Sequence, residues 1–280
     1  MFGMMFGDIG QGAVFVVIGY VFNRLGKGFL GIPAGAIKKL GGILSICGIS
    51  SIFFGALYGE AFLFEAFHPL FISPLHEQTK IIVIALVFGV IQIILGLLLH
   101  IANELRHKNM TGAILGGHGL FALIYYIGGV ALAIKFSANM SLDVFSENLT
   151  LTSLVLGALI LIFLSPLLEG VRQGKLNLVD NLMMGFGHGL ETFIAFLTNS
   201  ISYVRLAAFA LAHSALGLSA GILAELVGVF PSFLLLNVLV IMIEGMSTLI
   251  QGMRLTYYEF YTKFYTGGGA PYRPFVLERA

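Results

Sequence analysis

Two arginines lie inside apolar segments near the C-terminus of this sequence, and their chemistry is the most informative feature of the chain. Arg205 is in "FIAFLTNSISYVRLAAFALAHSALGLSAGIL", with no other formally charged residue between Glu191 and Glu225. Arg254 is in the next apolar segment, "NVLVIMIEGMSTLIQGMRLTYYEF". A guanidinium at bilayer depth costs at least about 2.5 kcal/mol, so it must face protein or a water-filled cavity. The pair therefore points to the handling of ions inside a membrane.

Further polar residues recur at helical spacing around each arginine. One predicted helical face carries His188, Glu191, Thr198, Ser202, Arg205 and His213. A second carries Glu244, Thr248, Gln251 and Arg254. If the first helix runs outward, His188 and Glu191 lie on the cytoplasmic side of Arg205 and His213 on the outer side. The returning helix then places Glu244 and Thr248 outward of Arg254. This order predicts two offset aqueous half-channels separated by a positive barrier, with groups typical of proton relays.

A structural interpretation of the same residues stays open. Glu244 could neutralise Arg254, and Glu191 could neutralise Arg205. The threonines and Ser202 could serve as hydrogen-bonding groups between helices. Arg205 is the residue least suited to a purely structural role, because no acid lies three or four residues away within its own helix.

Composition identifies a membrane protein. The 280 residues are 58% hydrophobic and 10% charged, whereas soluble domains average about 25% charged residues. The net charge of +1 argues against a nucleic-acid partner. There is no HExxH, CxxC or GxxxxGK[ST] motif and no serine nucleophile elbow. We therefore expect no cofactor, no metal and no catalysis by the chain alone.

Hydropathy predicts an all-α, polytopic transmembrane helical bundle of about seven spans, the last two long and tilted. The predicted spans are 3–22, 40–59, 80–103, 111–136, 150–167, 181–226 and 231–264. A straight helix over 181–226 would be about 69 Å long, roughly twice the hydrocarbon thickness. That stretch must be tilted, broken or protruding, and "GVFPS" predicts the turn that follows it.

Loop charges predict the orientation. Basic residues occupy loops 23–39, 104–110 and 168–180, and the alternate loops are acidic. The positive-inside rule places the basic loops and the C-terminus in the cytoplasm and the N-terminus on the opposite side. We expect 1–178 to be a supporting bundle, 179–266 the helix pair of an ion-translocation interface, and 267–280 a cytoplasmic tail.

The remaining polar residues fit a scaffold. Asp8 and Glu60 lie in glycine-rich stretches near span ends, where hydrogen bonds to loops are expected. Gln92, His100 and His118 are isolated in apolar surroundings, which is typical of satisfied core groups.

Four segments carry a resemblance to a known family: "MMFGDIGQG", "SISYVRLAAFALAHSAL", "IEGMSTLIQGMRLTYYEFYTKFY" and "TGGGAPYRPF". Together they resemble the membrane domain of subunit a of V-type ATPases, called subunit I in archaeal and bacterial enzymes. The resemblance covers essentially the whole chain and is densest from Gly185 to Phe275. "GMRL" stands where family members often have "LRL".

The resemblance implies the ion-translocating stator of a rotary motor, whose last two helices lie against a ring of proteolipid c subunits with buried carboxylates. It also implies peripheral-stalk and central-stalk partners. Family members have eight membrane helices behind a large cytoplasmic domain, so we expect this chain to lack that domain and the first helix. Arg205 matches the essential stator arginine and Arg254 the second arginine. Glu191 matches the acid of the cytoplasmic half-channel, and His213 and Glu244 match outer positions.

The resemblance also implies a mechanism. The arginines lower the pKa of a returning ring carboxylate and block a direct leak, and the translocated ion is a proton or sodium. Two other functions stay open, a self-contained ion channel or secondary transporter and a purely structural scaffold. The sequence shows no inverted repeat, which counts against a transporter.

Overall fold

The structure is a computed structural model that describes residues 1–24, 33–65, 67–139, 143–172 and 178–265, together with Gly267. Most of the described residues are helical. They also include one β-hairpin, whose two strands have two residues each. The helices are α1 (Phe2–Met5), α2 (Ile9–Arg24), α3 (Ala34–Tyr58), α4 (Gln78–Arg106), α5 (Met110–Leu115), α6 (Leu120–Asn139), α7 (Asp143–Glu147), α8 (Leu149–Arg172), α9 (Leu178–Ser202), α10 (Val204–Val227) and α11 (Val229–Arg254). The strands are β1 (Glu60–Ala61) and β2 (Phe64–Glu65), which pair antiparallel. The predicted all-α class is confirmed.

Helix length and composition confirm a polytopic membrane protein. In the described part of the chain, 5 helical stretches are long and apolar enough to cross a membrane, and two shorter apolar helices accompany them. Large apolar side chains cover the outside of these helices; on α3, for example, Ile46 and Phe53 are 70% and 61% exposed. A surface of this kind is unfavourable in water and suits lipid. The chain is an integral membrane protein.

The first predicted span, 3–22, is not one continuous helix. α1 ends at Met5 and α2 begins at Ile9. Asp8 explains the break, because its Oδ1 atom accepts the Gln11 N–H at 2.8 Å and so caps the start of α2. Ser51 of α3 secures the intervening backbone by donating to the carbonyls of Phe6 and Asp8 at 2.6 and 3.0 Å.

Three other predicted spans also differ in detail. The segment predicted at 111–136 is divided into α5 and α6 by residues 116–119. The long segment near 181–226 is interrupted at Tyr203, which separates α9 from α10. The turn predicted at "GVFPS" is present at Gly228, whose φ of 99° is left-handed, and Pro231 lies in the first turn of α11. α11 is followed by a π-helical turn, Leu255–Phe260, and a 3₁₀ turn, Tyr261–Lys263.

Contacts divide the chain into two compact units. The first consists of Met1–Ile93 and Phe193–Tyr257, and the second of Ile94–Thr192 and Tyr258–Ala280. The predicted functional division at residue 178 stays a prediction.

Close helix packing builds the first unit. α2 and α3 approach at glycines: a Cβ on Gly48 would lie 2.6 Å from the Gly12 carbonyl oxygen, and one on Gly41 would lie 2.7 Å from that of Gly19. Helices in lipid associate by such small-residue contacts. An apolar cluster of Phe6, Phe15, Leu63 and Val240 then joins α1, α2, the hairpin turn and α11.

The second unit is centred on α6 and α8. Tyr126 of α6 and Ile162 of α8 are both buried, and Gly128 leaves room for Val155, whose Cγ2 would lie 2.4 Å from a Cβ at position 128. This unit also contains the start of α9, with Glu191.

Candidate functional site

Arg205 lies in the first turn of α10 beside an open cavity. Thr198, Ile201 and Ser202 from the end of α9 line this cavity of about 310 Å³ together with the arginine. The Nη1 atom of Arg205 is buried and has no hydrogen-bond partner among the described residues. No ion pair of Arg205 is present in the described part of the chain either. The sequence predicted that Thr198, Ser202 and Arg205 share one face, and the structure brings them together.

Arg254 is exposed at the C-terminal end of α11. The four residues predicted to lie on one face, with Arg254 included, do not share one environment: Glu244 and Thr248 are buried, Gln251 is half-buried and Arg254 is exposed. Steps of three residues explain this, because each falls about 60° short of a full turn of the helix. The polar stripe of α11 therefore passes from the interior to the surface as it approaches Arg254.

A buried ionisable cluster joins α10, α11 and the α1–α2 break. His213 Nδ1 and Glu244 Oε2 are hydrogen-bonded at 3.0 Å, and His213 Nε2 is 3.7 Å from Asp8 Oδ2. Their exposed fractions are 1% for His213, 7% for Glu244 and 0% for Asp8. Glu244 therefore contacts His213, and Arg254 forms no ion pair with any described residue. The alternative in which Glu244 neutralises Arg254 has no support in this geometry.

Asp8 is held by the backbone on two sides. In addition to the Gln11 bond, its Oδ1 accepts the Phe62 N–H at 2.9 Å and its Oδ2 accepts the Leu63 N–H at 2.8 Å. Phe62 and Leu63 form the hairpin turn with positive φ values of 52° and 69°, which non-glycine residues rarely adopt. The expected hydrogen bonding of Asp8 to a loop is confirmed. The sequence did not predict that the Asp8 carboxylate also faces His213.

Glu60 extends the polar region beyond His213. Its Oε1 accepts a short hydrogen bond from the hydroxyl of Ser214, the residue after His213. Both residues border a cavity of about 270 Å³, together with Leu63 and Gly217. Gln11 and Asn237 add a buried amide pair, in which Gln11 Nε2 donates to Asn237 Oδ1 at 2.8 Å. Glu60, Ser214, Gln11 and Asn237 were not predicted as site residues.

Several buried polar atoms of the first unit lack hydrogen-bond partners among the described residues. They are Gln11 Oε1, Gln92 Oε1, Arg205 Nη1, His213 Nε2, Glu244 Oε1, Thr248 Oγ1 and Gln251 Oε1. Proteins rarely leave such atoms unsatisfied in a dry interior. Five of the seven belong to residues predicted as site residues. Gln92, which was expected to be a satisfied core group, has an amide oxygen with no described partner.

The residues predicted for the inner half-channel do not form a buried cluster like that of His213, Glu244 and Asp8 among the described residues. Glu191 lies on α9 in the second unit with an exposed side chain. His188 is also on α9, but its side chain lies outside the described part of the structure. Ser202 is half-buried and donates its hydroxyl to the Thr198 carbonyl at 2.9 Å.

Comparison with known proteins finds similarity over the part of the chain that contains these residues. The sequence model of the V-type ATPase 116kDa subunit family matches residues 168–277, which include both arginines, His213 and Glu244. The chain is 25% identical to A-type ATP synthase subunit I of Methanocaldococcus jannaschii, over 99% of this chain and 43% of that protein. The chain is thus similar to A-type ATP synthase subunit I along nearly its whole length, and to the V-type ATPase 116kDa subunit family over residues 168–277. Asp8 and Glu60 lie outside the segment that the family model matches.

Two further relatives show the same similarity. A-type ATP synthase subunit I of Halobacterium salinarum is 25% identical over 99% of the chain and 46% of its own length. V-type proton ATPase 116 kDa subunit a 1 of Gallus gallus is 37% identical over 39% of the chain and 15% of its own length. The chain thus spans less than half the length of these curated relatives.

Proposed function

We propose that this chain is the ion-translocating stator subunit of a rotary V/A-type ATPase, with Arg205 and Arg254 facing carboxylates of a proteolipid c-ring. The observation that carries the proposal is the guanidinium of Arg205, which lies beside an open cavity in a membrane-spanning helix and forms no ion pair with any described residue. A charge in such a place is retained for function, because its desolvation destabilises the fold. An acidic group on a partner subunit would neutralise the charge of Arg205.

The strength of that attraction suits a moving contact. Two unit charges about 4 Å apart attract by about 4 kcal/mol at an effective dielectric near 20. That energy lowers the occupancy of a ring carboxylate by the translocated ion by orders of magnitude, and so favours ion release. It is still small enough for the ring to continue rotating. The same positive charge opposes a direct ion leak through the interface.

The outer half-channel would pass through the buried cluster. His213 and Glu244 are in hydrogen-bond contact and can exchange a proton, and Thr248 and Gln251 continue the polar line along α11 toward Arg254. Their unsatisfied atoms are suited to bridging water, which links polar groups at little free-energy cost. Asp8, fixed by three backbone N–H groups, would orient His213.

The inner half-channel would approach Arg205 from the other side. His188 and Glu191 precede the arginine on α9, and Thr198 and Ser202 line its cavity. We place the C-terminus in the cytoplasm and residue 1 on the opposite side, following the basic loops. Peripheral-stalk and central-stalk subunits would be further partners. The ring's own site would decide between a proton and sodium.

Replacement of Arg205 tests the proposal. In the assembled complex in vesicles, Arg205→Ala should abolish ATP-driven ion pumping. Arg106→Ala, at the exposed end of α4, is the matched control and should pump at the native level. Retained pumping by Arg205→Ala would reject the stator function. The purified chain in vesicles without a ring should conduct no ions, and a sustained flux there would favour a self-contained channel.

A further inference from the structure

We propose that Tyr203, seated on Gly89 of α4, is the positioning residue that fixes where the Arg205 guanidinium lies. The proposal rests on the stator function proposed above, and it adds two residues to which that function assigns no role. Both belong to the first unit.

Tyr203 occupies the interruption between α9 and α10 and is completely buried. Its ring meets Phe88 of α4 edge to face, with centroids 6.4 Å apart. A Cβ on Gly89 would lie 2.5 Å from Cγ and 2.7 Å from Cβ of Tyr203. Rotating the tyrosine side chain cannot move its Cβ. The backbone of α4 therefore touches the stem of Tyr203 directly, and only glycine fits at position 89.

The backbone around Tyr203 is wound more tightly than an α-helix. The Tyr203 N–H donates to the Ser200 carbonyl at 3.3 Å, and the Leu206 N–H donates to the Tyr203 carbonyl at 3.0 Å. Both are bonds between residues three apart, the pattern of a 3₁₀ turn. Such a turn changes the angular register of α10 relative to α9, and Tyr203 is the residue at which this register is set.

The anchored tyrosine determines the direction of Arg205. Two residues correspond to a rotation of about 200° in an α-helix and about 240° in a 3₁₀ turn, so a side chain two positions after Tyr203 leaves a different side of the helix. Leu206 and Ala207 are buried at 0% and 1% exposure. Arg205, by contrast, lines the cavity together with Thr198 and Ser202. A shift of the Tyr203–Gly89 contact would therefore displace the guanidinium.

The experiment uses the assembled complex in vesicles and compares four variants with the native chain. Gly89→Ala inserts a methyl group into the contact, and Tyr203→Leu removes the ring. Tyr203→Phe keeps the ring, and Gly221→Ala adds a methyl group on α10 where no atom lies within 4 Å. The measurements are ions pumped per ATP hydrolysed and passive ion leak, both per assembled complex.

Gly89→Ala and Tyr203→Leu should lower the ions pumped per ATP by about 10- to 100-fold, since a displacement near 1 Å can cost that much in a positioned site. Both should raise the passive leak, which a loss of folded complex would not do. Tyr203→Phe and Gly221→Ala should behave as native. If Gly89→Ala does not assemble, Tyr203→Leu decides by the same readouts.

Native coupling and native leak in Tyr203→Leu or in assembled Gly89→Ala would overturn the positioning role. That result would leave the stator function standing if Arg205→Ala still abolishes pumping. Pumping by Arg205→Ala would instead overturn the stator function itself.

Discussion

Asp8→Asn should destabilise the protein far more than the same substitution at an exposed aspartate would. The carboxylate accepts three backbone N–H groups at 2.8 to 2.9 Å, two on Oδ1 and one on Oδ2. An asparagine whose oxygen replaces Oδ1 keeps two of these bonds and turns its NH₂ toward the Leu63 N–H. One hydrogen bond to a charged group is lost, which contributes about 1.5–3 kcal/mol, and a buried donor is left without an acceptor, at about 1–3 kcal/mol.

Because the two costs overlap, we expect Asp8→Asn to lower the free energy of unfolding by about 2–4 kcal/mol. Titration of the purified protein with a denaturing detergent, followed by circular dichroism, measures the change. Asp143→Asn, at the exposed start of α7, is the control and should shift stability by less than about 1 kcal/mol. If Asp8→Asn and Asp143→Asn were equally stable, the carboxylate would not hold the hairpin turn as described.

Two further predictions concern proton exchange and helix packing. Glu244→Gln keeps the shape of the side chain beside His213 but cannot carry a proton, so ion pumping by assembled complexes should fall by about 100-fold. The control Glu225→Gln, at an exposed position, should pump normally. Equal pumping by the two variants in a vesicle assay would remove Glu244 from the ion path. Gly48→Ala places a Cβ 2.6 Å from the Gly12 carbonyl oxygen and should lower stability by about 1–3 kcal/mol. Gly42→Ala meets no atom within 4 Å and should raise stability by up to about 1 kcal/mol, so equal effects in a denaturation assay would contradict the close α2–α3 contact.

Hydropathy and isolated charges predicted much of this architecture. Long apolar segments must form helices in lipid, because every backbone polar group has to be satisfied within the chain. The same constraint makes a charge in such a segment conspicuous, and it singled out Arg205. Helical spacing singled out His213 and Glu244 separately, each on its own helix. It could not predict that the two side chains meet, because spacing along one helix does not state which residues make contact across helices.

The contribution of Asp8 could not be read from its surroundings in the sequence. Asp8 lies near His213 only because the chain folds back after helices α2 to α9. No local sequence pattern predicts such a contact. A local signal did exist for the α1–α2 break, because aspartate three residues before Gln11 is a favoured N-cap. The interruption at Tyr203 had no comparable signal. "SISYVRL" contains neither glycine nor proline, and the close approach of Gly89 lies more than 100 residues earlier in the sequence.

Cysteine cross-linking to the ring tests the central claim most directly. Ile201 lines the Arg205 cavity and is 59% exposed, so Ile201→Cys leaves the arginine in place. In a Cys47→Ser background, Ile201→Cys should form a disulfide with a cysteine placed next to the ring carboxylate, and the buried Leu206→Cys should form none. The contradicting result is no cross-link from Ile201→Cys while Ile46→Cys, on the exposed face of α3, cross-links to the ring.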